Sequence, residues 1–150
     1  MNILELARHE KNLVVGLRRY FHENPELSQK EFKTMDFIEK KLNGWGIETV
    51  RIPHGGIFGV LDSGKPGWTM LMRADIDALP IDEDSCNLKG KKICVSKNAG
   101  VMHACGHDGH TAMLLGAARE LAESRDFDGT VVFIFQPAEE GGGGARVMIE

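Results

Sequence analysis

TVVFIFQPAEE, residues 130–140, is the stretch that decides the fold. Thr130–Gln136 is apolar at nearly every position, the pattern of a central strand covered on both faces rather than of a half-solvated one. Pro137 has no N–H to continue a ladder and ends the strand. Glu139 and Glu140 then stand at the strand's carboxyl end, where open α/β sheets hold their ligands. Adjacent side chains point in different directions, so one carboxylate is free to hold a metal while the other faces substrate and water. Taken alone, the pair also reads as a solvated acidic turn.

Working outward, Asp126–Gly129 is a turn, and a helix from about Asp108 to Ser124 precedes it with Met113, Leu114, Ala117, Ala118 and Leu121 inward. A further helix begins near Ala145. Towards the N-terminus, Leu4, Leu6, Leu13, Val14, Leu17 and Phe21 recur at helical period until Asn24-Pro25 breaks the segment. Ser28 reads as an N-cap, with Glu31 completing a capping box for a second helix that runs to Asn43-Gly44. Ile47–Ile52 alternates as a strand. Gly59–Asp62 and Trp68–Arg73 flank the turn-rich Ser63–Gly67, which predicts a hairpin between them. Ala74 to Met102 shows no clear period and reads as a long functional loop. Helices alternating with strands predict an α/β three-layer sandwich on a mixed, largely parallel central sheet.

Composition narrows the function. At 150 residues, 42% hydrophobic and 27% charged, the chain is one globular domain's worth of sequence. A formal net charge of −4 leaves no basic footprint for nucleic acid. No apolar run approaches the roughly 20 residues that cross a bilayer. The N-terminus lacks a signal-peptide core, so neither membrane nor export is expected and the cytoplasm is the default. Three irregularly spaced cysteines describe no disulfide framework, and Cys86 and Cys94 read as ordinary free thiols.

The chemistry concentrates in His103-Ala104-Cys105-Gly106-His107-Asp108-Gly109-His110, which holds three of the chain's six histidines. Thiolate and imidazole suit zinc and similar transition metals. Residues two apart on an extended segment share a side, so Cys105 and His107 are the foremost candidate ligands, ahead of His103 and His110. His107 and His110 share a face instead if the helix starts early. Asp108 is a credible N-cap, and the helix's N-terminal field favours a thiolate at Cys105. At the end of another strand, Asp75 and Asp77 share a side, where they either support a ligating histidine, bind metal or cap a loop. A cysteine nucleophile at Cys105 with a neighbouring histidine is a lesser alternative, because it leaves Glu139 and Glu140 without a purpose.

Four blocks carry a resemblance: LRRYFHENPELSQKEFKT (17–34), MRADIDALPI (72–81), GVMHACGHDGHTAMLLGAA (100–118) and VVFIFQPAEEGGGGA (131–145). On them the chain resembles the aminoacylase, hippurate hydrolase and indole-acetyl-amino-acid hydrolase family of dinuclear metallo-amidohydrolases. The resemblance implies Cys105, His107 and Glu140 as metal ligands, Glu139 as general base and Asp77 as the supporting aspartate. Asp75 falls where many relatives have a ligating histidine; His103 and His110 are left as neighbours of metal or substrate. It further implies two divalent ions (zinc, manganese, cobalt or nickel), hydrolysis of N-acyl amino acids or short peptide-like amides, and homodimers or larger assemblies through a lid domain. Residues 1–150 then correspond to the N-terminal part of the catalytic domain, without the lid domain or the C-terminal part. The family's further ligating histidines, one soon after the Glu-Glu motif and one near the C-terminus, fall outside them. A chain cut there is expected to bind metal partially at most and to be inactive alone.

Overall fold

The computed structural model describes residues 2–53 and 55–150. In chain order the elements are α1 (Ile3–Glu23), α2 (Phe32–Gly44), β1 (Glu48–Ile52), β2 (Gly56–Asp62), β3 (Thr69–Asp75), β4 (Cys86–Asn87), β5 (Gly90–Lys91), α3 (His107–Ser124), β6 (Thr130–Gln136) and α4 (Gly144–Ile149). Asn2 starts α1 through a capping box, its side chain accepting the Glu5 N–H while the Glu5 carboxylate accepts the Asn2 N–H. None of the described helices is long and apolar enough to cross a membrane.

The main sheet runs β1-β2-β6-β3. β3 lies parallel to β6 with Asp75 opposite Gln136, and this register carries the function. Both strands end at the same rim, so the segments that leave them, Ile76-Asp77 and Pro137–Glu140, meet there. The Ile76 N–H donates to the Gln136 carbonyl at 3.0 Å and extends the ladder by one rung. One face of the sheet, with Ile57, Leu61, Phe133 and Phe135 fully buried, shares a single core with Phe21 of α1, Ile38 and Leu42 of α2, and Leu115 of α3. Each such side chain contributes about 1.5–3 kcal/mol by leaving water. α1 and α3 cross closely at Gly116, where a Cβ would meet Val14 Cγ2 at 2.6 Å.

The α/β class and the mixed sheet agree with the sequence reading; several details do not. Two of the three pairings in the main sheet are antiparallel, so it is not largely parallel here. β2 and β3 form no hairpin with each other because β6 lies between them; the hairpin is β1–β2. The Ser63–Gly67 link spans the start of β6, with Ser63 donating to the Gly129 carbonyl and Gly129 to that of Lys65. α1, α2 and α3 pack on one face, and on the other Val132 and Ile134 are half-buried and Leu71 is 65% exposed, so the third layer expected does not cover that face among the described residues. Inside the long loop, β4 and β5 make a two-residue ladder.

The capping box predicted for α2 is absent. Its N-cap position is Glu31, which makes no side-chain cap bond. Glu26 does that work from outside, its carboxylate accepting the Thr34 N–H at 2.7 Å and the Lys33 N–H at 3.3 Å. Ser28 and Glu31 are thereby released for other partners.

Candidate metal centre

His107 is the hinge of the site. Gly106, at φ +91°, turns the chain through the left-handed region and delivers His107 as the first residue of α3, 2% exposed. Its Nδ1 lies 2.8 Å from the Asp77 backbone carbonyl. A carbonyl can only accept, so Nδ1 carries the proton and Nε2 keeps its lone pair, the arrangement that prepares an imidazole for a metal. Nε2 faces carboxylates: Asp75 Oδ1 at 3.6 Å, Glu139 Oε2 at 3.8 Å and Glu140 Oε1 at 3.9 Å.

Around His107, two groups of three donors come within 4.8 Å of one another, Cys105–His107–Glu140 and Asp75–His107–His110. In the second, Asp75 and His110 already bond to each other at 2.7 Å. The first therefore fits a cation better. Its chemistry says the same. The hydrogen bond with Glu140, the surrounding protein and the charges of Glu140, Glu139 and Asp75 push the Cys105 thiol up to about 11. A thiol among carboxylates stays protonated unless a cation joins it. This corrects the sequence expectation of a thiolate favoured by the α3 N-terminus, because three nearby carboxylates outweigh the helix field. It also weighs against Cys105 as a free nucleophile.

Asp77 is buried and ties three segments together. Its Oδ2 accepts from Ser28 Oγ at 2.7 Å and from the Glu140 N–H at 2.9 Å. Its Oδ1 makes no hydrogen bond and lies 3.3 Å from His107 Nδ1. Burial acts to raise the Asp75 pKa, but the bond from His110 and the proximity of His107 hold it below the usual carboxylate value. Arg73 approaches Asp75 at 3.8 Å and donates to Gln136 Oε1 at 2.6 Å.

The remaining histidine of the motif stands apart. His103 is 5% exposed with neither ring nitrogen bonded, and burial lowers its pKa to about 4. It joins neither donor group around His107. Asp108 is not an N-cap either, since α3 begins one residue earlier, with Gly106 at the cap. The Asp108 carboxylate turns inward to His22 Nδ1 at 2.7 Å and Arg18 Nε at 2.9 Å. His22 Nε2 reaches Glu83 at 2.9 Å, and Lys92 and the Ser96 N–H complete that carboxylate. His107 and His110 do share one helix face, with ring centroids 5.5 Å apart, as the early-start alternative requires.

Sequence reasoning gave Ser28 and Glu31 to a helix cap and assigned His22 and Glu83 nothing. His22, Ser28 and Glu31 all fall in the block at 17–34 that carries the family resemblance. That block is the available signal that they do more than pack.

Residues 71–150 match Peptidase family M20/M25/M40. Over 160 residues the chain is 44% identical to Thermostable carboxypeptidase 2 of Saccharolobus solfataricus, covering 100% of this chain and 39% of that protein. It is 46% identical over 151 residues to the N-acetyl-L-cysteine deacetylase of Bacillus subtilis, covering 99% of this chain and 35% of that one. The fold superposes on a dinuclear metal binding peptidase of the M20 family from Bacillus subtilis with a TM-score of 0.85 and 41% identity, over 95% of this chain and 39% of the other. The chain thus spans less than two-fifths of the length of these relatives.

Proposed function

The chain belongs to Peptidase family M20/M25/M40, and on that premise we propose that it supplies the N-terminal share of a two-metal amidohydrolase acting on N-acyl amino acids or short peptide-like amides. One observation carries the reading. Cys105, His107 and Glu140 bring their donor atoms within 4.8 Å of one another, while Glu139 stands beside His107 but outside that donor group. Cys105, His107 and Glu140 hold metal in this proposal, and the thiol leans the choice towards zinc, cobalt or nickel over manganese. Bound divalent ions polarise the scissile carbonyl and activate water.

The protein's own groups do the rest. Glu139, with its side chain 45% exposed at the rim, takes a proton from the attacking water and returns it to the departing amine nitrogen. Asp77 fixes the His107 tautomer through its carbonyl and ties down Glu140 through its carboxylate. Asp75 orients His110, whose exposed ring faces incoming substrate. His103 lies beneath this layer and takes no part in it. Three unpaired cysteines suit a cytoplasmic setting, where thiols stay reduced.

In the enzyme that carries this chain, Glu139→Gln lowers turnover by about 10²–10⁴-fold while metal content holds. Near-normal turnover in that variant refutes the assignment. Taken alone, the 150 residues support a second reading, metal binding without turnover. The half-buried sheet face and the β3 edge, unpaired among the described residues, favour it. Amidase activity from the isolated chain overturns that second reading.

A further inference from the structure

Three non-glycine residues among those described adopt positive φ: Gln29 at +64°, Arg125 at +45° and Ala138 at +49°. Arg125 ends a helix, where such a turn is ordinary. Ala138 has no such excuse, because a Cβ is unfavourable in the left-handed region and neither Asn nor Asp chemistry is there to help. Strain of this kind persists only where the surroundings over-determine it. It lies immediately before Glu139.

The surroundings point to one carboxylate. The Glu31 side chain makes no cap bond to α2; the residue is 1% exposed, and its carboxylate accepts the Ala138 N–H at 2.8 Å across 107 residues of sequence. Burial pushes its pKa above the ordinary carboxylate value, and contact with backbone N–H groups, that of Ala138 foremost, acts against this. Gln29, the other left-handed residue outside a helix end, lies two positions before Glu31 in the chain. On the other flank, the Glu140 N–H is held by Asp77 at 2.9 Å. Glu139 therefore sits between two pinned amides while its own side chain stays free.

We infer that Glu31 is a positioning residue: it locks Ala138 in the left-handed turn and so aims Glu139 at the metal ligands. Its consequence for catalysis rests on Glu139 being the base; the anchoring itself does not.

The test is amide hydrogen exchange on the 150-residue chain, residue by residue. In Glu31→Ala, protection of Ala138 and Glu140 falls at least about tenfold relative to Phe133 and Phe135 in β6. Glu31→Gln keeps an acceptor oxygen and most of the protection. Adding Ala138→Gly to Glu31→Ala restores protection at Glu140, because glycine holds the left-handed turn without an anchor. Parent-like exchange at Ala138 in Glu31→Ala, loss in step with Phe133 and Phe135, or no return with the glycine overturns the inference. Should Glu31→Ala fail to fold, Ala138→Gly alone decides: relieved strain raises the urea midpoint, and a lowered midpoint overturns it. In the active enzyme, Glu31→Ala lowers kcat by about a hundredfold with little change in KM, and the glycine recovers part of it. An unchanged kcat beside the expected exchange pattern leaves the anchor standing and overturns its role in aiming Glu139, while Glu139→Gln tests the base on its own.

Discussion

His107 and Asp108 are chain neighbours at the start of α3, yet they look into two polar clusters of opposite completeness. On the Asp108 side, two carboxylates, Asp108 and Glu83, meet three cationic groups, Arg18, His22 and Lys92. Both nitrogens of His22 face carboxylates, and the Asp108 bond leads in raising its pKa, against the pull of burial. That cluster is electrically closed. On the His107 side, Asp75, Asp77, Glu139 and Glu140 surround His107 and one thiol, and the other basic side chains, His110 at 2.7 Å and Arg73 at 3.8 Å, reach only Asp75. Buried or half-buried anions without cations are costly. The closed cluster therefore reads as scaffold and the open one as a site that expects a positive charge from outside.

Breaking the closed side has the largest effect. Asp108→Ala leaves His22 and Arg18 facing each other with one anion removed, and loss of a partner from a buried pair costs about 3–5 kcal/mol. Urea unfolding measures it. Cys105→Ser, at the exposed edge of the open side, moves stability by less than about 0.5 kcal/mol. Equal effects from the two substitutions remove the distinction between scaffold and site.

Filling the open side comes next. Zinc or cobalt at about 100 times its dissociation constant stabilises the metal-free chain by about 2.7 kcal/mol if it binds the folded state alone. Cys105→Ser loses most of that gain, and the cobalt–thiolate absorption disappears with it. A chain whose urea midpoint ignores both ions lacks the open cluster's defining property. Asp108→Ala sharpens the contrast by losing stability while keeping the cobalt band.

The two sides also differ in how legible they were. The open cluster draws on short runs of sequence, Asp75 with Asp77, Cys105 with His107, and Glu139-Glu140, whose chemistry is odd enough to stand out in one dimension. The closed cluster joins His22, Glu83 and Asp108 across 61 and 86 residues, and no local pattern announces such a pairing. The same limit applies to the fold. Helices and strands were readable from period and punctuation, and β6 was placed to the residue. Which strand lies beside which was not, because Ser63–Gly67 looks like a hairpin turn whether or not β6 slips between the strands it joins. Glu31 shows the limit most sharply: Ser28 to Glu31 has capping-box spacing, and only tertiary geometry reveals that Glu26 does the capping.

The last contrast is a difference in pH response within the inner layer. His22 has its folded pKa raised above 6.5, so its contribution is fully present below 6.5 and lost as pH rises through the raised value. Asp108 and Glu83 have lowered pKa values despite burial, so their contributions are present above the ordinary carboxylate range and lost as pH falls through the folded values. The closed cluster is thus at full strength between those limits. His103 behaves oppositely to His22: burial lowers it to about 4, so between 6.5 and about 4 the unfolded chain takes up a proton that the fold refuses. Urea midpoints measured across pH separate the two. His103→Gln flattens the loss of stability from 6.5 towards 4, whereas His22→Gln flattens the decline on the alkaline side. If both substitutions flatten the same limb, the two histidines belong to one titrating unit and the boundary between the closed cluster and its surroundings has been drawn in the wrong place.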